Sequence, residues 1–283
     1  MLVLLILAVW IGPSFFGDRA LSLTSNPFAR PSLTNPFGTD IHGRDLLSRV
    51  LAGTRVSLWV GSVGATISLL IGVSIGAVAG YLGGKTDQML MRLVDGLYAM
   101  PSVIFVIVLI TMVEDAAQKA LGPDLLSKDA DGIRLMLLFI GLGGVSWLTM
   151  ARIVRGEVLS LKERAFVQAS RAMGASHLHV LKEHILPNIS GVVLAYLMLT
   201  IPSVILYESF LSYLGLGIQP PQASLGTLIA EGAAQLNPIR TCWWLLVFPG
   251  GMLVAALVAL NLFGDGLRDA LDPQSGRTHR SNL

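Results

Sequence analysis

Two glycine-rich runs are the first places to look for bond-making chemistry in this sequence. Gly83-Gly84-Lys85-Thr86 has the ending of a phosphate-binding loop, where backbone N–H groups cradle phosphates and a lysine reaches the outer ones. Such a loop needs a glycine five positions before its last one, where this chain has Ala79, and it must follow a strand. Here it follows a long apolar run, so a short turn between two helices is the better reading. Gly72-Val73-Ser74-Ile75-Gly76 matches G-x-S-x-G, the setting of a nucleophilic serine. That serine would need a strained strand–turn–helix and a histidine partner. His42, His177, His179, His184 and His279 all lie in polar segments instead. The same glycines continue as Gly72, Gly76 and Gly80, a small-residue stripe that lets membrane helices pack closely.

Metal chemistry finds no better footing. No H-E-x-x-H occurs, and His177 and His179 are two apart, on different faces of a helix. Cys242, the single cysteine, stands beside Trp243 and Trp244 and reads as a small buried hydrophobe. The chain therefore carries no catalytic, cofactor or metal residues of its own. Two acids remain, because charge in an apolar span is costly. Asp95 follows Arg92 by one helical turn, which offers it a partner at a headgroup boundary. Glu208 lies between two uncharged runs, near the outer end of its span. It is either a lining residue of a solute path or an interface anchor or polar contact.

The elements that must hold these residues are membrane helices. Of 283 residues, 53% are hydrophobic and 13% charged, against about 25% charged in an average soluble domain. Mean hydropathy is +0.68. A soluble enzyme, a disulfide scaffold and a disordered chain are excluded, and a net charge of +2 does not suggest a nucleic-acid binder. Crossing a bilayer takes about 20 apolar residues. Charge-free runs at 56–84, 96–113, 135–151, 185–207 and 241–264 meet or approach that length, and a sixth opens the chain at 1–17. The opening run lacks the basic lead and small-residue cleavage site of a signal peptide. It reads as a first transmembrane helix clipped at its N-terminus. The expected fold is an all-α polytopic membrane protein with six transmembrane helices.

Segments between the spans differ in character. An extracytoplasmic loop at 18–55 is rich in Pro, Asn, Ser and Thr, and ends in an amphipathic stretch at 44–55. There Leu46, Leu47, Val50 and Leu51 share one face, and Arg44, Asp45, Ser48 and Arg49 another. A five-helix core follows at 56–264, then a tail at 265–283. The loop at 213–240 is long enough to fold back on the bundle, and 114–133 is a polar insertion. Six spans put both termini on one side. With the termini inside, eleven Lys and Arg lie inside and nine outside, and six of the inner ones fall in the loop 152–187.

That loop holds a pattern a plain solvated loop would not need. Ala165, Ala169 and Ala172 share one helical face, and Arg164, Gln168 and Arg171 the opposite one. Gly174 then breaks the helix, and Ser176 can cap a second short helix ending before Pro187. A small-residue face on an exposed helix suits docking into a groove on another protein.

Gln168-Ala169-Ser170, Gly174 and Leu186-Pro187 resemble the E-A-A-x3-G-x9-I-x-L-P motif of binding-protein-dependent ABC importer permeases. Gln168, Ser170 and His184 depart from it, while the Gly and Leu-Pro spacing is intact. Further stretches resemble the dipeptide/oligopeptide/nickel branch of that family: Gly43-Arg44-Asp45-Leu46-Leu47-Ser48-Arg49, Gly80-Tyr81-Leu82-Gly83-Gly84 with Asp87, and Ala151-Arg152-Ile153-Val154-Arg155-Gly156. So do Glu208-Ser209-Phe210-Leu211-Ser212-Tyr213-Leu214-Gly215-Leu216-Gly217 and Gly264-Asp265-Gly266-Leu267-Arg268-Asp269. The likeness runs from about residue 38 to residue 273 and is strongest to the C-type permease subunit.

The resemblance implies the type I ABC importer permease fold, in the bacterial cytoplasmic membrane with both termini cytoplasmic. It implies a second homologous permease subunit as heterodimer partner. Two cytoplasmic ATPase subunits would hold ATP and magnesium, and an extracytoplasmic binding protein would deliver short peptides. Ala165, Gln168, Ala169, Ser170, Ala172, Gly174, Leu186 and Pro187 would then couple the chain to an ATPase. Dipeptides, nickel chelates and other peptide-like solutes are alternative cargoes. An ion-coupled secondary transporter is the alternative from another class, but it would call for ionisable groups near the midplane and usually an inverted repeat.

Overall fold

The computed structural model describes Leu7, Val9, Trp10 and residues 26–101, 103–109, 111, 112, 115, 116, 119, 130–218, 222–237 and 240–271. The expected opening helix at 1–17, most of the 114–133 insertion and the tail beyond 271 lie outside the described residues.

Helix α1, Leu46–Leu82, is followed by α2, Gly84–Tyr98, and α3, Ala130–Lys162. Next come α4, Ala165–Ala172, α5, Leu186–Tyr213, and the short α6, Leu225–Ala234. Strands β1, Leu236–Asn237, and β2, Arg240–Thr241, form a two-residue antiparallel ribbon before α7, Trp244–Leu271. Among the described residues, Leu46–Leu82, His177–Tyr213 and Trp244–Ala270 are long and apolar enough to cross a membrane. The expected run at 135–151 lies within α3, and the one at 96–113 begins at the end of α2. Helix α2 stops before Pro101, which cannot donate to a continuing ladder, and a further helical stretch spans Val103–Leu109.

Several boundaries differ from the sequence reading. The amphipathic stretch 44–55 is not a separate element, because α1 starts at Leu46 and runs on without a break. The helix expected to end before Pro187 does not end there. A turn of α-helix, His177–His179, passes into a π-helical turn, Val180–Ile185, and then into α5. Pro187 is the second residue of α5, directly after the π turn, and because the helix runs through it its missing N–H leaves one backbone bond of the ladder unmade there. The loop 213–240 contains α6, announced in the sequence by Ser224 and Thr227. Ser224 Oγ accepts from Thr227 N at 3.2 Å, and Thr227 Oγ1 accepts from Ser224 N at 2.8 Å.

The described residues fall into two compact units. One is drawn from Met1–Ser62, Glu114–Leu138 and Ile201–Leu262, the other from Val63–Val113, Phe139–Thr200 and Phe263–Leu283. The first has a core of Leu46 and Val50 from α1, Leu225 and Leu228 from α6, and Cys242, Trp244 and Leu245. Cys242 is 2% exposed, a small hydrophobe inside that cluster. Phe37 stacks on Phe248 at 4.0 Å, which fastens the loop before α1 to the same core.

In the second unit the last turns of α1 lie directly on α3. A Cβ on Gly72 would stand 2.6 Å from Met150 Cβ, one on Gly76 2.5 Å from the Ala151 carbonyl, and one on Gly80 2.9 Å from the Arg155 carbonyl. Gly83 and Gly84, with φ of 68° and 56°, make the tight turn from α1 into α2.

Candidate functional site

Residues 163–187 in the second unit form an outward-facing surface on a buried base. Helix α4 buries Val167 and Ser170 and leaves Ala165, Gln168, Ala169 and Ala172 exposed. The alanine face is therefore open, and Ser170 points inward at 6% exposure. Phe166, Met173 and Leu178 add large apolar side chains to the open face at 44%, 83% and 61% exposure. Water-exposed apolar groups gathered around a small-residue helix mark a surface that gains by being covered. Gly174 takes φ 85° and ends the helix, with nothing within 4 Å of a Cβ placed there. Pro187 is exposed and Leu186 half-buried.

The π turn brings side chains five apart onto one side. His179 and His184 thereby meet edge to face at 5.9 Å, and Phe166 lies against His184 at 6.2 Å. Among the described residues, no three His, Cys, Asp or Glu side chains group so as to hold a metal ion.

Beneath the surface, Val167, Val180 and Ile185 join Ala77, Tyr81, Met150, Val154 and Val158 in one apolar cluster. Tyr81, in the last turn of α1, reaches the segment with its hydroxyl, which lies 3.1 Å from His177 Nδ1. The two rings also meet edge to face at 5.6 Å. His177 is set by its neighbour, since Ser176 Oγ accepts from His179 N at 3.3 Å and caps the turn.

Helices α2 and α3 are tied by charge nearby. Arg155 Nε and Nη2 both donate to the Asp87 carboxylate, the latter at 2.7 Å, in the paired geometry that makes such bonds strong. Arg152 Nη2 donates to Asp95 at 2.7 Å and its guanidinium lies 4.1 Å over the Tyr98 ring. Asp95 therefore has its partner across the helix pair, whereas the sequence offered Arg92 along the helix. Sequence spacing reveals only neighbours on one helix.

Glu208, in the first unit, has no exposed surface. Ser212 Oγ donates to it at 2.6 Å, Ser57 Oγ at 3.1 Å and Ser209 Oγ at 3.5 Å. The serines pass the connection on. Ser57 Oγ accepts from Leu225 N at 3.2 Å, and Ser212 Oγ accepts from Ile218 N at 3.3 Å and Ser224 Oγ at 3.3 Å. One carboxylate thus gathers α1, α5 and the start of α6. This enclosure supports the reading of Glu208 as a polar contact within the bundle over that of a path-lining residue.

A second polar knot holds the other side of α6. Arg49 Nη1 donates to Asp40 at 2.7 Å and to Glu231 at 2.6 Å, and Arg49 Nη2 donates to Glu231 at 3.1 Å. Asp40 also accepts from the backbone of His42 and Arg44 and from Arg44 Nε. The face of Arg44, Asp45, Ser48 and Arg49 is thus turned mostly inward. Its partners, Asp40 and Glu231, lie 9 and 182 residues from Arg49, the second beyond reach of local pattern reading.

Comparison with known proteins agrees over most of the chain. Residues 72–277 match the family described as binding-protein-dependent transport system inner membrane component. The oligopeptide transport system permease protein OppC of Haemophilus influenzae is 42% identical over 275 residues, covering 96% of this chain and 81% of that one. OppC of Escherichia coli is 46% identical over 238 residues, or 84% of this chain and 72% of its own length. The dipeptide transport system permease protein DppC of Bacillus subtilis is 39% identical over 280 residues, 98% of this chain and 80% of that one. Among solved structures, an inward-facing MetNI methionine ABC transporter chain superposes with a TM-score of 0.60 at 17% identity, covering 80% of this chain and 98% of that one.

Proposed function

This chain belongs to the family of binding-protein-dependent transport system inner membrane components, and from that premise we propose how it works in peptide import. It is a multi-pass permease subunit of an ABC importer for peptides, with the ABC importer permease fold. The chain acts as a transport subunit, and ATP with magnesium is bound and hydrolysed by two partner ATPase subunits. A second, homologous permease completes the membrane path as a heterodimer, and an extracytoplasmic binding protein presents short peptides to it. Both termini lie on the cytoplasmic side, which agrees with the six basic residues of the 152–187 loop.

In this reading α4 and the turn after it seat in a groove on one ATPase. The exposed Ala165, Ala169 and Ala172 allow close approach, and Phe166, Met173 and Leu178 supply apolar area to bury. Closure of the ATPases on ATP then moves the segment, and the helices above it rock to open the path alternately outward and inward. The observation that carries this reading is the open small-residue face on α4, set on a base formed by Val167, Val180 and Ile185, each 0% exposed.

The test is reconstitution in proteoliposomes with the partner permease, ATPases and binding protein, comparing wild type with Ala169→Arg and Gly174→Asp. Arginine at 169 puts a long charged chain on the docking face without disturbing the buried base. Peptide-dependent ATP hydrolysis and uptake are expected to collapse in both variants while the permease remains folded. Uptake at the wild-type rate with the docking face destroyed, or without ATP, would overturn the reading.

A further inference from the structure

The outward surface 163–185 rests on apolar packing, which holds a segment down but does not by itself fix its rotation. A surface that must meet a partner in one orientation needs a directional contact as well. Among the described residues, the bond between Tyr81 Oη and His177 Nδ1 is the one side-chain hydrogen bond reaching from this segment to α1, α2 or α3. Both ends of that bond are themselves held. Tyr81 is 7% exposed and follows Gly80, whose backbone is pressed on the Arg155 carbonyl of α3. His177 sits in a turn capped by Ser176, three residues past the left-handed Gly174 that would otherwise leave the chain direction loose.

We propose that Tyr81 and His177 are positioning residues for ATPase docking: their hydrogen bond sets the orientation in which α4 and the π turn are presented. The inference rests on the docking role proposed above and adds to it a buried tyrosine outside the docking face, Tyr81, which holds His177 in the docking turn itself. Tyr81 does not touch the partner. It acts through His177, and the apolar cluster around its ring is separable from the hydroxyl, because phenylalanine keeps the ring.

The experiment titrates the purified ATPase subunits onto the permease heterodimer in lipid nanodiscs and follows ATP hydrolysis with binding protein and peptide present. Wild type is compared with Tyr81→Phe, His177→Gln, His177→Asn, the double variant Tyr81→Phe/His177→Gln, and Ala169→Arg. Loss of one hydrogen bond of ordinary strength is expected to raise the half-saturating ATPase concentration about two- to tenfold in Tyr81→Phe and His177→Gln. The maximal rate at saturation should be retained, since the docked complex is unchanged once formed. The double variant should be no worse than either single one, because both remove the same bond. Asparagine places an amide where Nδ1 stands and glutamine one where Nε2 stands, so His177→Asn should titrate close to wild type. A merely structural defect would lower the maximal rate and would not be rescued by asparagine. Wild-type titration of Tyr81→Phe, additive effects in the double variant, or equal loss in His177→Asn and His177→Gln would each overturn the inference while Ala169→Arg stays defective. If Ala169→Arg also titrates like wild type, the docking role itself fails and the inference falls with it.

Discussion

Replacing glycine by alanine should have opposite consequences at two helical positions of this chain, Gly76 and Gly156. Both are interior to helices, and in both the added methyl brings the same gain in helix propensity, about 1 kcal/mol. Their surroundings differ. At Gly156 nothing lies within 4 Å of the new Cβ. At Gly76 the Cβ would stand 2.5 Å from the Ala151 carbonyl oxygen, 2.9 Å from Val154 Cβ and 3.1 Å from Arg155 N, where ordinary contact begins near 3.4 Å. Two of these atoms are backbone of α3, so no side chain can swing aside and the helices must part by several tenths of an ångström. Overpacking of this kind costs about 1–3 kcal/mol. Because the propensity gain is common to both variants, the difference in stability between them isolates the packing cost. Heat unfolding of the purified permease in detergent reads it directly. Gly156→Ala should melt at or above wild type, and Gly76→Ala below Gly156→Ala by about 2–4 °C for each kcal/mol in a chain near this size. Equal melting temperatures for the two variants would refute the claim that α1 and α3 meet backbone to backbone at this glycine.

Arg49→Met would leave Asp40, 2% exposed, and Glu231, 28% exposed, without their shared guanidinium. Asp40 keeps Arg44 and Glu231 keeps some water, so the cost belongs at the low end for a broken buried pair, about 3 kcal/mol. Faster proteolysis within residues 26–45 is the measurement, and wild-type resistance would show the knot to be idle. At Glu208, Ser212 and Ser57 donate to different carboxylate oxygens, so glutamine keeps an acceptor for one and turns an amide N–H toward the other hydroxyl, which can accept it, and the change should be mild. Leucine strands both buried hydroxyls at about 1–3 kcal/mol. Thermal unfolding should rank wild type, Glu208→Gln and Glu208→Leu in that order, and equal melting of the two variants would count against the serine hub.

Much of the architecture was legible in residue types and spacing. Membrane helices follow from long uncharged runs, because a bilayer leaves the backbone no partner but itself. The turn at Gly83 and Gly84, the break at Gly174 and the cap at Ser176 follow from local conformational preference, which acts within a few residues. The open alanine face of α4 was legible for the same reason, as helical periodicity is local. Its buried side was misplaced: the residues opposite the alanines are Val167 and Ser170, which meet the base, and not Arg164, Gln168 and Arg171, which stay exposed beside them. The charged partners depended still more on tertiary structure. Asp95 chose Arg152 over Arg92, Arg49 found Glu231, and Tyr81 met His177. Each pairing joins residues at least 57 apart in sequence. Side-chain bonds reach about 3 Å, so only the packing of one helix on another decides which distant groups come within that range.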